Sequence, residues 1–69
     1  ILKKLSEKFS LTPREAEVFG LLVNTEDGLQ TIADNMYISR RTLERYVSAI
    51  YGKTGTKSRI GLVSLYNNI

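Results

Sequence analysis

The stretch TIADNMYISRRTLERY, residues 31–46, contains two helical patterns separated by about three residues. In the first pattern, Ile32, Ala33 and Met36 have the spacing of an apolar helix face. Ser39 is a favourable N-cap residue, so a second helix is predicted to begin there. Two short helices joined by so tight a turn form a helix-turn-helix pattern, although any tight helical hairpin resembles it.

Downstream of this stretch, apolar residues continue at helical spacing to about Thr54. Gly55 then follows at the position where a helix commonly ends in a left-handed residue. Ser58 is predicted to cap a last helix, whose apolar residues extend towards Ile69.

Upstream of it, Thr12, Pro13 and Glu15 form a strong helix-start signal. Thr is suited to the N-cap, and Glu three residues later completes a capping box. Pro is tolerated at the first helical position, because the backbone N–H that it lacks would have no helical partner there. A wide apolar stripe follows and predicts a helix from about Pro13 to Asn24.

The remaining helix signals are shorter. Asp27 and Gln30 form a second capping signature, which predicts a short helix through Met36. Before residue 10, apolar residues recur every four positions and predict a lead-in helix. The chain is thus predicted to be all-α, with a four-helix helix-turn-helix domain over residues 11–69 after a lead-in segment over residues 1–10.

Composition narrows the class of protein. The chain has 69 residues, 42% of them hydrophobic, which suits one small folded domain. It has no Cys and no His, so we predict no disulfide, no metal site, no cofactor and no enzymatic activity. Its apolar runs are too short for membrane contact, its start does not resemble a signal peptide, and a cytoplasmic location is consistent with the lack of cysteine. The first residue, Ile1 rather than Met, indicates a domain of a longer protein.

The positive charge is concentrated in one segment. The net charge is +3, but residues 1–38 sum to −2, residues 39–59 sum to +5 and residues 60–69 carry none. A basic segment on a nearly neutral scaffold is typical of a protein that binds a polyanion. The alternative, a solvated helix face, would mix the two signs more evenly.

Three segments in order resemble the LuxR-type domain, also called the GerE-type or NarL/FixJ-type domain. They are LTPREAEV (11–18), TIADNMYIS (31–39) and RTLERYVSAIYGKTGTKSR (41–59). The resemblance extends from about Leu11 to Tyr66. It implies a domain at the C-terminus of a bacterial transcription regulator, often behind a receiver or ligand-sensing domain. Such domains bind double-stranded DNA as dimers, commonly through the last helix, and RNA polymerase is a candidate partner.

The sequence departs from the family pattern at three places. Residues 28–31, GLQT, stand where the family has Ser/Thr-Asn-x-Glu, Gly52 replaces a frequently basic residue, and Glu44 stands where Lys is common. Two alternatives stay open, and Gly52 and Glu44 support the first of them. The domain could be a degenerate helix-turn-helix retained for dimerisation or protein contact. It could also be a region-4-like module of a sigma factor, because the segment LTPREAEV resembles the start of such modules as well.

In this interpretation, the helix over residues 39–54 reads the major groove. Four of its residues are predicted to contact bases: Arg41, Glu44, Arg45 and Ser48. Arg45 can bond to O6 and N7 of guanine, while Glu44 can accept from the N4 amino group of cytosine and is repelled by phosphate. The alternative role for Glu44 is an intrahelical ion pair with Arg40 or Arg41.

Seven residues are predicted to contact DNA phosphates, either through side chains or through N–H groups at helix starts. They are Thr31, Ser39, Arg40, Tyr46, Lys53, Lys57 and Arg59. Two of them have structural alternatives. Tyr46 could simply pack on the core, and Arg59 could pair with Glu15 or Glu17 inside the fold.

The last helix has no charged residue between Ile60 and Ile69. Leu62 and Leu65 are predicted to be core residues. The apolar strip that they leave is predicted to form a homodimer interface, because such strips are rarely left exposed on small monomers. Its residues are Val63, Tyr66 and Ile69. The alternative is that the lead-in helix folds back and covers this strip.

Overall fold

The computed structural model describes residues 2–68, and of Leu2 the backbone only; Ile1 and the predicted dimer residue Ile69 lie outside the described residues. Five helices and no strand occur in this part of the chain. They are α1 (Leu2–Phe9), α2 (Pro13–Asn24), α3 (Leu29–Asn35), α4 (Arg40–Thr54) and α5 (Arg59–Asn67). The predicted all-α class, with a lead-in helix before four others, is confirmed. No described helix has the length and apolar character needed to cross a membrane.

Three predicted helix starts are confirmed at the level of single hydrogen bonds. Thr12 Oγ1 accepts from the backbone N–H of Glu15 at 3.2 Å, and Thr12 N donates to Glu15 Oε1 at 2.9 Å, which completes the capping box of α2. Ser39 Oγ and Ser58 Oγ each accept from the backbone N–H three residues further on, both at 3.1 Å. These caps place the starts of α4 and α5 where the sequence predicts them.

The predicted cap at Asp27 is wrong. The N-cap of α3 is Gly28, which has extended backbone and no side chain to accept a hydrogen bond. The Asp27 N–H donates instead to Thr25 Oγ1 at 3.3 Å, within the loop. Gln30 Nε2 donates to Asp34 Oδ1 at 2.9 Å on the exposed side of α3. Asp27 and Gln30 therefore each hydrogen-bond to a nearby residue and do not cap α3 together.

Three helices end in the same backbone motif, in which the residue beyond the helix end is left-handed. These residues are Ser10 (φ 56°), Tyr37 (φ 58°) and Gly55 (φ 71°). In each case the next residue donates its N–H to the carbonyl five positions back, at 2.9–3.2 Å. The left-handed Gly55 is confirmed. Glycine adopts this backbone readily, whereas a residue with a Cβ atom loses roughly 1–2 kcal/mol there.

The core forms around α2, which packs against α1, α4 and α5, while α3 packs against α4. The fully or almost fully buried apolar residues are Leu5, Leu11, Val18, Phe19, Leu22, Ile32, Ala33, Leu43, Val47, Ile50 and Leu62. They come from all five helices and from the α1–α2 connection. Because α3 and α4 both contribute to this core, the helix-turn-helix pair is held in one orientation relative to α2.

The two leucines predicted for the core in α5 differ in the structure. Leu62 is fully buried as predicted. Leu65 is half-buried and lies outside the core cluster, so that prediction is wrong. Tyr66 packs against Phe19 instead, with ring centroids 6.2 Å apart and the rings tilted by 54°. The lead-in helix α1 packs principally against α2 rather than across α5.

Candidate nucleic-acid interface

α4 has one buried and one exposed face. Leu43, Val47 and Ile50 anchor its apolar face in the core. The four predicted base-contacting residues are all exposed, and they are Arg41, Glu44, Arg45 and Ser48. Their spacing places them on one side of the helix. The structure therefore brings these residues together on a solvent-facing surface.

Glu44 lies beside Arg40, with 3.6 Å between Glu44 Oε2 and Arg40 Nε. This is one of the intrahelical pairs expected as the alternative role of Glu44. Both side chains are about half exposed, at 55% and 50%. An exposed pair at this spacing contributes only about 0.3–0.5 kcal/mol, so the carboxylate can exchange Arg40 for another donor at little cost.

Arg41 and Arg45 are exposed, and neither takes part in an ion pair between residues 2 and 68. Their guanidinium groups therefore keep all five donors for an external acceptor. Lys57, in the loop between α4 and α5, is likewise exposed and makes no ion pair in the described chain.

The start of α4 presents two hydroxyl groups. Ser39 Oγ accepts from the Thr42 N–H and also lies 3.0 Å from Thr42 Oγ1, so the two hydroxyls share a hydrogen bond. Ser39 was predicted as a phosphate contact, whereas Thr42, which joins the same pair of hydroxyls, was missed. The available signal was its position as the third residue of a capped helix. Thr31 is exposed at the third position of α3.

Tyr46 is half-buried and packs against the core cluster, as expected in its structural alternative. Glu17, whose Oε2 lies 2.8 Å from Arg14 Nη1, is the main group that raises the pKa of Arg14, and Tyr46 raises it further. Arg14 is an exposed arginine outside the predicted set of DNA-contacting residues.

Lys53 is engaged within the fold. Its Nζ lies 2.7 Å from Glu15 Oε1 and 3.1 Å from the Ser10 carbonyl oxygen. Glu15 is only 7% exposed, and the Lys53 ammonium, followed by the Thr12 N–H, lowers the pKa of its carboxyl. The phosphate contact predicted for Lys53 therefore competes with a structural role. A move to DNA would leave a buried carboxylate without its counter-charge.

Arg59 donates to three backbone carbonyls. Nε donates to Leu22 O at 2.8 Å, Nη2 to Thr25 O at 2.7 Å, and Nη1 to Asp27 O. The expected alternative, an ion pair with one of two α2 glutamates, is wrong. The carbonyls at the end of α2 lack helical partners, and the helix dipole favours a cation there. A phosphate contact by Arg59 stays a prediction, which these three bonds disfavour.

A shallow groove lies between the end of α2 and the first turn of α5. It is lined by Leu22, Val23, Asn24, Thr25, Glu26, Arg59, Ile60 and Val63. Val63 was predicted as a dimer residue, whereas its neighbour Ile60, which is 82% exposed, was missed. Tyr66, another predicted dimer residue, is half-buried against the core.

The tight turn between α3 and α4 and the exposed arginines of the core-anchored α4 define a helix-turn-helix domain of the class that binds DNA. The family model for GerE, bacterial regulatory proteins of the luxR family, matches residues 9–66. The chain belongs to the luxR family of bacterial regulatory proteins, as its resemblance to the LuxR-type domain predicted.

Curated relatives support this assignment. The probable transcriptional regulator ycf29 of Cyanophora paradoxa is 41% identical over 73 residues, covering 100% of this chain and 33% of that protein. The spore germination protein GerE of Bacillus subtilis is 39% identical over 57 residues, covering 83% of this chain and 76% of that protein. The response regulator Rre1 of Synechocystis sp. is 43% identical over 60 residues, covering 81% of this chain and 24% of that protein. The chain spans about a third of the length of the ycf29 relatives. No solved structure matches the chain.

Proposed function

We propose that this chain is the DNA-binding output domain of a bacterial transcription regulator and that α4 reads the sequence of double-stranded DNA in the major groove. The observation that carries the proposal is the exposed face of α4. It places Arg41 and Arg45, neither of which has an ion pair within residues 2–68, beside Glu44 and Ser48 on a helix that the core holds in place.

Affinity and selectivity come from different groups. Arg40, Lys57 and the N–H groups at the start of α4 supply contacts to phosphate, which are salt-dependent and independent of sequence. Arg45 supplies bidentate recognition of guanine. Glu44 accepts from cytosine N4 and disfavours positions where its carboxylate would face a phosphate or a carbonyl group.

The domain is further proposed to act as a dimer on DNA, with contact through α5. Ile60, which is 82% exposed, and Val63, which is partly exposed beside it in the groove, support this contact, whereas Tyr66 of the predicted strip packs against Phe19. The complete regulator would then present two copies of α4 to two half-sites. RNA polymerase is proposed as a partner of the complete regulator.

DNA binding is tested by titrating the chain against random duplex and against a library of selected duplexes at two salt concentrations. We expect tighter binding to an enriched motif, and weaker binding to all duplexes at the higher salt concentration. Absence of binding to either at low salt would refute the proposal. Binding without an enriched motif would reduce it to a nonspecific cationic domain.

Variants of α4 separate readout from general attraction. Arg45→Ala should relax selectivity at one base pair and cost roughly 1–3 kcal/mol, whereas Lys57→Ala should weaken all sequences alike. Glu44→Lys should tighten binding to DNA in general and blur the preferred motif. Equal, sequence-blind losses from the first two variants would contradict this division of roles. Unchanged selectivity in Glu44→Lys would leave Glu44 as a partner of Arg40 only.

Dimerisation is tested by sedimentation of the chain over a range of concentrations. Ile60→Glu places a charge on the exposed first turn of α5 without disturbing the core, so this variant should remain monomeric where the unaltered chain associates. Asn67→Glu, at the exposed end of α5, is the matched control and should associate normally. An unaltered chain that stays monomeric at high concentration, with and without DNA, contradicts the proposed contact.

A further inference from the structure

Tyr37 is an exposed aromatic residue that the contacts of α4 leave unexplained. It lies in the turn between α3 and α4, and its side chain is 96% exposed. Its backbone is left-handed, at φ 58°, which disfavours any residue with a Cβ atom. The residue therefore combines an unfavourable backbone with an aromatic ring that is almost wholly in solvent.

The turn explains the backbone conformation but not the choice of side chain. Tyr37 N donates to Asp34 O at 3.2 Å and Ile38 N donates to Ala33 O at 3.1 Å, and this helix-end motif requires a left-handed residue between them. Glycine would satisfy the motif more readily, since the Tyr37 ring does not belong to the apolar core. Such strain is typical of a residue whose side chain has a function, and this ring faces away from the fold.

The surroundings of Tyr37 favour nucleic acid as the partner of this ring. The exposed Arg40 and Arg41 follow within four residues and outnumber Asp34, the one acidic residue between Leu29 and Arg41, whose Oδ1 accepts a hydrogen bond from Gln30 Nε2 at 2.9 Å. When the first residues of α4 enter the major groove, the turn before them comes alongside the sugar–phosphate chain. Tyrosine suits that position, because its hydroxyl can donate to phosphate and its ring offers an apolar face.

We propose that the Tyr37 hydroxyl donates a hydrogen bond to a DNA phosphate at the edge of the major groove, with the ring against the adjoining deoxyribose. The contact rests on the proposed DNA binding by α4 and adds a second, independent anchor from the turn. It carries no base information. Its role is to fix the position and angle at which α4 enters the groove.

The test compares binding and thermal stability in the unaltered chain and three variants, with the most enriched duplex as the probe. Tyr37→Phe removes only the hydroxyl and should melt at the same temperature while binding about three- to tenfold more weakly. Tyr37→Gly should melt higher because it relieves the left-handed backbone, yet bind at least as weakly as Tyr37→Phe. Ser10→Gly is the matched control, since it relieves the same conformation at the end of α1. It should melt higher with unchanged affinity.

Duplexes with single neutral methylphosphonate linkages then locate the contact. One such duplex should weaken binding of the unaltered chain while leaving Tyr37→Phe unaffected, because the phosphate charge and the hydroxyl act as a pair. Unchanged affinity in Tyr37→Phe and Tyr37→Gly, with normal binding by the unaltered chain, would overturn the contact. An unaltered chain that binds no duplex would refute the proposed function itself, and this contact with it.

Discussion

Replacing Arg59 with Ala removes the three hydrogen bonds that join the start of α5 to the last turn of α2 and to the loop after it. The carbonyls of Leu22, Thr25 and Asp27 then lose a charged donor in a partly buried place. This substitution distinguishes two possible roles of Arg59, which belongs to the basic segment of residues 39–59. Arg59 can either support the fold or hold a DNA phosphate, and the two roles affect different measurements.

The expected loss of stability follows from these contacts. A hydrogen bond from a charged donor contributes about 1.5–3 kcal/mol, but three bonds to one guanidinium are not additive, and water can reach the partly exposed site. We therefore expect the free energy of unfolding to fall by about 2–4 kcal/mol. A domain of this length has roughly 3–10 kcal/mol in total, so Tm should fall by roughly 10–30 °C.

The assay is thermal and urea unfolding followed by circular dichroism, with DNA titration at a temperature where each protein is folded. Lys57→Ala is the control, because Lys57 is exposed and has no ion pair in the described chain. It should leave Tm nearly unchanged and weaken DNA binding, the reverse of Arg59→Ala. An Arg59→Ala variant with unaltered Tm, weaker binding and a shallower salt dependence would refute the structural role.

Three other predictions concern stability. The folded-state pKa of Glu15 is lowered, so its ionised form stabilises the fold above its ordinary pKa of about 4.5, and this contribution is lost as the pH falls through the folded pKa. The difference in unfolding free energy between the unaltered chain and Glu15→Gln, measured in urea, should therefore shrink from pH 7 towards pH 3. Leu62→Ala, at a fully buried site, should cost about 2–5 kcal/mol in the same assay. Gly52→Ala, whose added methyl meets no described side chain within 4 Å, should stabilise α4 by about 1 kcal/mol, whereas Gly55→Ala at φ 71° should destabilise the fold by about as much.

The helix starts could be predicted from sequence because their signals are local. Thr12 and Glu15 lie three residues apart, and the geometry of a helix start brings them together in almost any context. The Asp27 signature has the same spacing, yet it failed. Gly28, one residue later, starts α3, and the Asp27 N–H bonds to Thr25 in the loop. Spacing alone does not fix which of two adjacent residues becomes the N-cap.

The roles of the basic residues could be predicted only in part. Arg41 and Arg45 face solvent because the apolar positions of α4 fix the opposite side, and that periodicity is visible in the sequence. Lys53 and Arg59 lie in the same charged segment, but their partners are 32–43 residues away along the chain. Such pairings depend on how α2 packs against α4 and α5. No local sequence pattern indicates that packing. The exposed, left-handed Tyr37 was missed because no sequence pattern indicates that a tyrosine will adopt left-handed backbone.

The anchoring of α4 has a consequence for the thermodynamics of binding. Its apolar face is buried, Ser39 closes its first turn, and Lys53 fastens its last turn to Glu15. A helix held in this way is ordered before DNA arrives, so association should require little loss of conformational entropy in the protein. The heat-capacity change on binding should then match the area of the interface alone, without the larger contribution that accompanies coupled folding.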